Sequence, residues 1–114
     1  MSHERVLKVL INLGLTRRDA RVYVHLAKHG PQKVRNIVEA LKMQEQHLYR
    51  CLRSLKNKRI VDSTIERPAE FSAIPFDKAL ELLINAHLKE SRNIEQEKEE
   101  ILNEWYSMIS RIQT

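Results

Sequence analysis

From Phe76 to Ile112 the chain carries neither glycine nor proline, and its apolar residues keep one spacing. Leu80, Ile84, Ile94, Ile101, Trp105, Met108 and Ile112 lie on a ladder of alternating four- and three-residue steps. The same ladder passes through His87, Ser91 and Lys98, while Leu83, Leu88, Leu102 and Ile109 widen its stripe. A helix of this length runs about 55 Å at 1.5 Å per residue, too long for the preceding 75 residues to cover. Its mean spacing of 3.5 predicts a left-handed coiled coil with a partner helix rather than a helix folded back on its own domain, because the apolar ladder resumes at the far end. Leu80, Ile84, Leu88, Ile94, Ile101, Trp105, Met108 and Ile112 are therefore the expected dimerisation residues of a homodimer. Whether the two helices pair parallel or antiparallel stays open.

What comes before this helix differs in charge. Residues 1–74 hold 15 Lys+Arg against 7 Asp+Glu, a balance of +8, whereas residues 75–114 hold 5 against 8, a balance of −3. A basic body with an acidic tail implies two jobs in two regions, and the basic one suits an acidic partner such as nucleic acid. The expected division is a DNA-binding domain over 1–75 and a dimerisation helix over 76–114, the whole mainly α with a small β-hairpin. The single cysteine excludes an internal disulfide, and no Cys/His pair has zinc spacing. With no apolar run near 18 residues and no signal-peptide core, nothing places the chain in a membrane, and a cytoplasmic, nucleoid-associated protein is expected.

The body reads as a series of short helices. Residues 3–13 are amphipathic, with Ser2 as a candidate cap and Gly14 as the stop. A second helix starts at Thr16, whose hydroxyl suits an N-cap, with Asp19 three residues on as a short-armed capping box. Its broad buried face holds Ala20, Val22, Tyr23, Val24, Leu26 and Ala27, and His29-Gly30-Pro31 stops it. His25 and His29 stand four apart without a third ligand nearby, so they read as ordinary histidines rather than a metal site. A third helix, about Lys33–Leu41, turns inward on Val34, Ile37, Val38 and Leu41. After the tight Lys42-Met43 connection comes Gln44–Lys58, which completes a helix-turn-helix. The period then changes. Ile60–Ile65 and Ala69–Ile74 read as two strands joined by a turn at Glu66-Arg67-Pro68, forming a wing over about 60–74.

The fourth helix carries the chemistry. Leu48, Cys51, Leu52 and Leu55 share one narrow stripe. Gln46, Arg50, Arg53 and Asn57 lie opposite, flanked by His47 and Ser54, and Glu45 is the only acid in the stretch. Gln, Asn and Arg are the side chains that pair bidentately with base edges in a DNA major groove. Gln44, Gln46, His47 and Arg50 are the expected readers. Arg53, Lys56 and Lys58, with Gln32, Lys33, Arg17 and Arg18, are expected nearer the phosphates, and Arg67 suits an adjacent narrow minor groove. Tyr49 sits on the wheel between core and phosphate. Cys51, on the apolar stripe, reads as a small core residue, and no Gly-rich phosphate loop exists, so no catalytic residue, cofactor or metal is expected.

Several segments are similar to the DNA-binding domain of TrmB-type transcriptional regulators, a winged-helix family best known from archaea. They are Leu13-Gly14-Leu15-Thr16, Asp19-Ala20-Arg21-Val22-Tyr23 and Gly30-Pro31, then Leu48-Tyr49-Arg50, Leu52, Leu55, Ile60-Val61, Arg67-Pro68 and Phe71-Ser72-Ala73-Ile74-Pro75. The resemblance covers about residues 3–80 and rests on order and spacing rather than on one motif. The chain departs from the family at three places: Lys33 where a small hydroxyl often caps the third helix, Lys42-Met43 where a glycine is usual, and Arg59 where another precedes the first wing strand. Larger members carry a sugar-binding domain after the linker helix, which is not expected here. The resemblance implies a sequence-specific regulator that binds double-stranded DNA as a homodimer. The competing readings are a winged helix used only for protein assembly, and an architectural protein that coats DNA without sequence preference. The operator, the regulated genes, the direction of regulation and any effector are not encoded in readable form.

Overall fold

The computed structural model describes residues 2–113, and the side chains of residues 3–111. The Ser2 cap and the Ile112 seam position fall outside those side chains. The element order is α1 (Ser2–Asn12), α2 (Arg17–His29), β1 (Gln32–Lys33), α3 (Val34–Leu41), α4 (Glu45–Asn57), β2 (Val61–Ser63), β3 (Glu70–Ala73) and α5 (Phe76–Gln113). The chain divides into two compact units, Met1–Ile84 and Asn85–Thr114.

In the first unit, the apolar stripes meet in one core. Leu48, Cys51, Leu52 and Leu55 of α4 are all buried, as are Ala20, Val22, Tyr23, Val24 and Leu26 of α2; Ala27, expected with them, is exposed. Burying each such Leu contributes about 1.5–3 kcal/mol. The core continues into the start of α5, where Ala79 and Leu83 are buried. Leu83 therefore serves the body rather than a helix seam. Tyr23 ties these parts together: its hydroxyl donates to the Ile74 carbonyl at 2.7 Å, and its ring lies 6.3 Å from that of Phe76. Burial, with Asp77 nearby, pushes the Tyr23 phenol up to about 12.

The helix starts follow local chemistry. Thr16 is extended (φ −73°, ψ 163°), and its Oγ1 accepts from the Asp19 amide at 3.1 Å, as an N-cap should. Lys33 and Gln44 occupy the same place before α3 and α4 without a side-chain cap. Lys33 was expected to open the third helix, but it lies in β1 and precedes the first helical residue.

The wing is shorter than its sequence pattern. β2 and β3 pair antiparallel, Val61 with Ala73 and Ser63 with Phe71, and residues 64–69 form the loop between them. A third strand joins that hairpin: β1 pairs with β3, Gln32 opposite Phe71 and Lys33 opposite Glu70, in the order β1-β3-β2. A two-residue strand has no periodicity to read, so only the partner reveals it.

Backbone geometry explains two of the family departures. Lys42 (φ 52°) and Arg59 (φ 65°) have positive φ, as do Gly14 and Gly30 at the ends of α1 and α2. The turns thus keep a glycine-favouring shape while carrying cations, at a cost of about 1–2 kcal/mol for each side chain. Replacing both by glycine relieves that strain but enlarges the unfolded ensemble by about 0.4–1 kcal/mol at each site. The double variant Lys42→Gly/Arg59→Gly is therefore expected to melt several degrees higher than the parent. An unchanged or lower thermal midpoint contradicts the strain assignment.

The second unit is a single helical stretch on which most apolar side chains meet solvent and Ile109 is half-buried. Leu88, Ile94, Ile101, Leu102, Trp105, Tyr106 and Met108 are all exposed, Ile94 at 68%. Within the first unit, Ile84 is exposed and Leu80 half-buried. Among the described residues, no helix is long and apolar enough to cross a membrane.

Candidate nucleic-acid interface

Packing of α4 through its apolar stripe turns the opposite side outward. Gln44, Glu45, Gln46, Arg50, Arg53 and Lys56 are exposed, and His47 is half-buried beside them. Tyr49 is 46% exposed, which resolves its position in favour of the outer surface. It borders two hollows. One is lined by Gln44, Glu45, Gln46 and Tyr49 itself. The other, about 690 Å³, separates α4 from the wing and is lined by Lys33, Val34, Arg35, Tyr49, Phe71 and the loop from Thr64 to Ala69. Arg67, exposed in that loop, faces this groove together with Lys33 and Arg35.

Hydrogen bonds fix α4 on two sides. Lys56 Nζ donates to Ser63 Oγ at 2.7 Å, tying the helix to the first wing strand. Ser54 Oγ donates to Asp19 Oδ2 at 3.3 Å, tying it to the first turn of α2. Asp19 is buried at 6% exposure, so its carboxylate does more than a cap: it holds the two helices in register at a hollow shared with Arg18, His47 and Arg50. Neither tie could be found from sequence spacing, since the partners lie on different elements.

Besides Lys56, bonded to Ser63, three expected phosphate contacts are engaged within the chain. The Arg17 guanidinium pairs with Glu4 at 2.9 Å and holds that carboxyl below its usual range. Gln32 Oε1 meets His25 Nε2 at 2.6 Å, bracing the end of α2 against β1. Lys58 Nζ donates to Ser54 Oγ at 3.4 Å. Gln46, Arg50, Arg53, Lys33 and Arg67 present their polar ends on the surface without such a tie among the bonds described above.

Burial and then Asp19 push the Cys51 thiol up to about 12, which keeps it protonated at neutral pH. A thiol in that state is a poor nucleophile and a poor metal ligand. His25 and His29 stack with ring centres 4.6 Å apart, but among the described residues no cluster of three or more His, Cys, Asp or Glu side chains could hold a metal ion.

A family model described as the sugar-specific transcriptional regulator TrmB matches residues 10–77. No curated protein matches the chain. Among solved structures, the chain is similar to TrmBL2, described as an archaeal chromatin protein that shows a novel mode of DNA binding, with TM-score 0.77 and 19% identity. That match covers 98% of this chain and 44% of the other, so the chain spans less than half of that protein. A possible transcriptional regulator from Methanosarcina mazei matches at TM-score 0.62 and 16% identity, over 85% of this chain and 86% of the other. A mutant of the Staphylococcus aureus regulator MepR bound to an oligodeoxyribonucleotide matches at 0.57 and 16%, over 96% and 88%. At these identities the structural matches establish a winged-helix fold.

Proposed function

This chain belongs to the TrmB family of transcriptional regulators, and on that footing we propose that it binds double-stranded DNA as a sequence-selective homodimer. The observation that carries the reading is the outer surface of α4. It shows Gln44, Gln46, Arg50 and Arg53 with one acid, Glu45, and a groove bearing Lys33, Arg35 and Arg67 runs beside it. In this reading α4 enters the major groove by its N-terminal end, where Gln44, Gln46, His47 and Arg50 meet base edges. Lys33, Arg53 and Lys56 meet phosphates, and Arg67 follows the wing to the next minor groove. The exposed ladder of α5 pairs with a second copy, and the protein works at the nucleoid in the cytoplasm.

One structural likeness favours a second reading. The TrmBL2 structure is described as that of a chromatin protein, and the same surface would serve a protein that coats DNA with little sequence choice. Single substitutions separate the two. If α4 reads bases, Arg50→Ala loses about 1–3 kcal/mol of discrimination between a selected and a random duplex. Arg53→Ala weakens both duplexes alike and lowers the salt slope by about one. Competition binding with duplexes selected from a random pool measures both. Equal losses on selected and random DNA for Arg50→Ala rule out the base-reading role and favour the coating protein.

A further inference from the structure

The wing tip combines an uncovered apolar side chain with a charge balance of zero. Ile65 is 99% exposed, and between Thr64 and Ala69 the only charges are Glu66 and Arg67. The tip thus offers phosphates no net attraction, while the body around it is strongly basic. It is also firmly presented. Thr64 N donates to the Glu70 carbonyl at 3.0 Å, and Glu70 N donates back to Thr64 Oγ1 at 2.9 Å, closing the loop at its base. Below that, the Lys56–Ser63 bond at 2.7 Å fixes the wing to α4. The groove beside the wing is lined by Lys33, Arg35 and Arg67 together with Glu66, and Arg35 also pairs with Glu39 at 3.8 Å, which leaves it only modestly cationic. If α4 enters the major groove as proposed, the wing fixed beside it reaches the adjoining minor groove.

A branched apolar side chain held at that point meets the C–H surface of the deoxyribose walls and, where a step opens, the faces of the stacked bases. We propose that Ile65 is a wedge that enters the minor groove and partly unstacks one base step, bending the duplex away from the wing. Ile is among the residues that minor-groove binders insert in this way, with kinks of about 20–90°. The step beneath the wing should be a flexible pyrimidine–purine step, TA or CA/TG, because these kink at the least cost. Arg67, two residues on, then lies along the groove floor and orients the wedge. The inference rests on the DNA-binding reading and adds a deformation that the base-reading residues do not require.

The test uses the full chain and a duplex of about 30 base pairs with a donor and an acceptor dye at its ends and 2-aminopurine at a central TA step. Wild-type protein is expected to shorten the end-to-end distance and brighten the 2-aminopurine. Ile65→Ala, which removes no packing from the body, is expected to bind several-fold more weakly, leave the duplex straight and keep the wild-type salt slope. Ile65→Met is expected to restore the bend. Arg67→Ala, which takes a cation from the groove floor, should weaken binding, lower the salt slope and retain some bend. A wild-type complex with straight DNA, or an Ile65→Ala complex bent like wild type, overturns the wedge while leaving DNA binding intact. A wild-type chain that retains no duplex at low salt overturns the binding reading itself, and the wedge with it.

Discussion

A chain ended after Ile84 is expected to fold as a monomeric winged helix and to bind DNA about 10²–10⁴-fold more weakly than the full chain, the range typical of lost avidity between two linked heads. The cut is set by the packing. Among the described residues, every buried core residue lies at or before Leu83, and the first compact unit ends at Ile84, so the cut keeps that unit's core residues. A cut at Ile74 instead strips Ala79, at 0% exposure, and Leu83 from the core and confuses unfolding with dissociation. What the cut removes is a helix whose Ile94, Ile101, Leu102, Trp105, Tyr106 and Met108 are exposed. Apolar residues at a and d positions stabilise helix pairing, and the polar His87, Ser91 and Lys98 on the same ladder weaken it but can fix register and strand number. Two paired copies carry two α4 helices, so the preferred site is a near-palindrome with half-sites about one helical turn apart or a multiple of it. Sedimentation of both chains at micromolar concentration checks the dimer. A monomeric full chain removes the seam and the palindrome together.

Much of this arrangement was legible in the sequence, for identifiable reasons. The 3.6-residue stripe of α4 was unambiguous because Leu48, Cys51, Leu52 and Leu55 are apolar and the opposite face is not, and all four are buried. Thr16 was legible as a cap because its hydroxyl acts within its own turn. The α-rich winged helix with a long last helix followed from the same local rules. What the sequence hid depends on partners distant along the chain. Strand β1 exists only because Gln32 and Lys33 face Phe71 and Glu70. Tyr49 lay at the border of its helical wheel, and only the placement of the wing beside α4 turned it outward. Asp19 looked like a cap and also anchors Ser54, 35 residues away. Lys42 and Arg59 broke the glycine pattern in sequence, yet their backbones kept the positive φ that glycine favours. Ile65 was read as a strand residue and stands in the wing loop at 99% exposure.

The steepest expected response is to salt, and it comes from the distribution of charge. The body carries +8 over residues 1–74, and Lys33, Arg53, Lys56 and Arg67 are exposed on the outer surface of α4 and around the adjoining groove. If each head neutralises three to five phosphates, a dimer makes about six to ten such contacts, and affinity then falls by about 10³–10⁵ between 50 and 200 mM salt. A protein-assembly module with the same fold has no such dependence on a duplex. The direct measurement is retention of a labelled duplex by the full-length chain as monovalent salt is raised. Log K is expected to fall linearly with log salt, with a slope of about −0.9 for each phosphate neutralised. Retention that is absent at low salt, or flat from low to moderate salt, contradicts it.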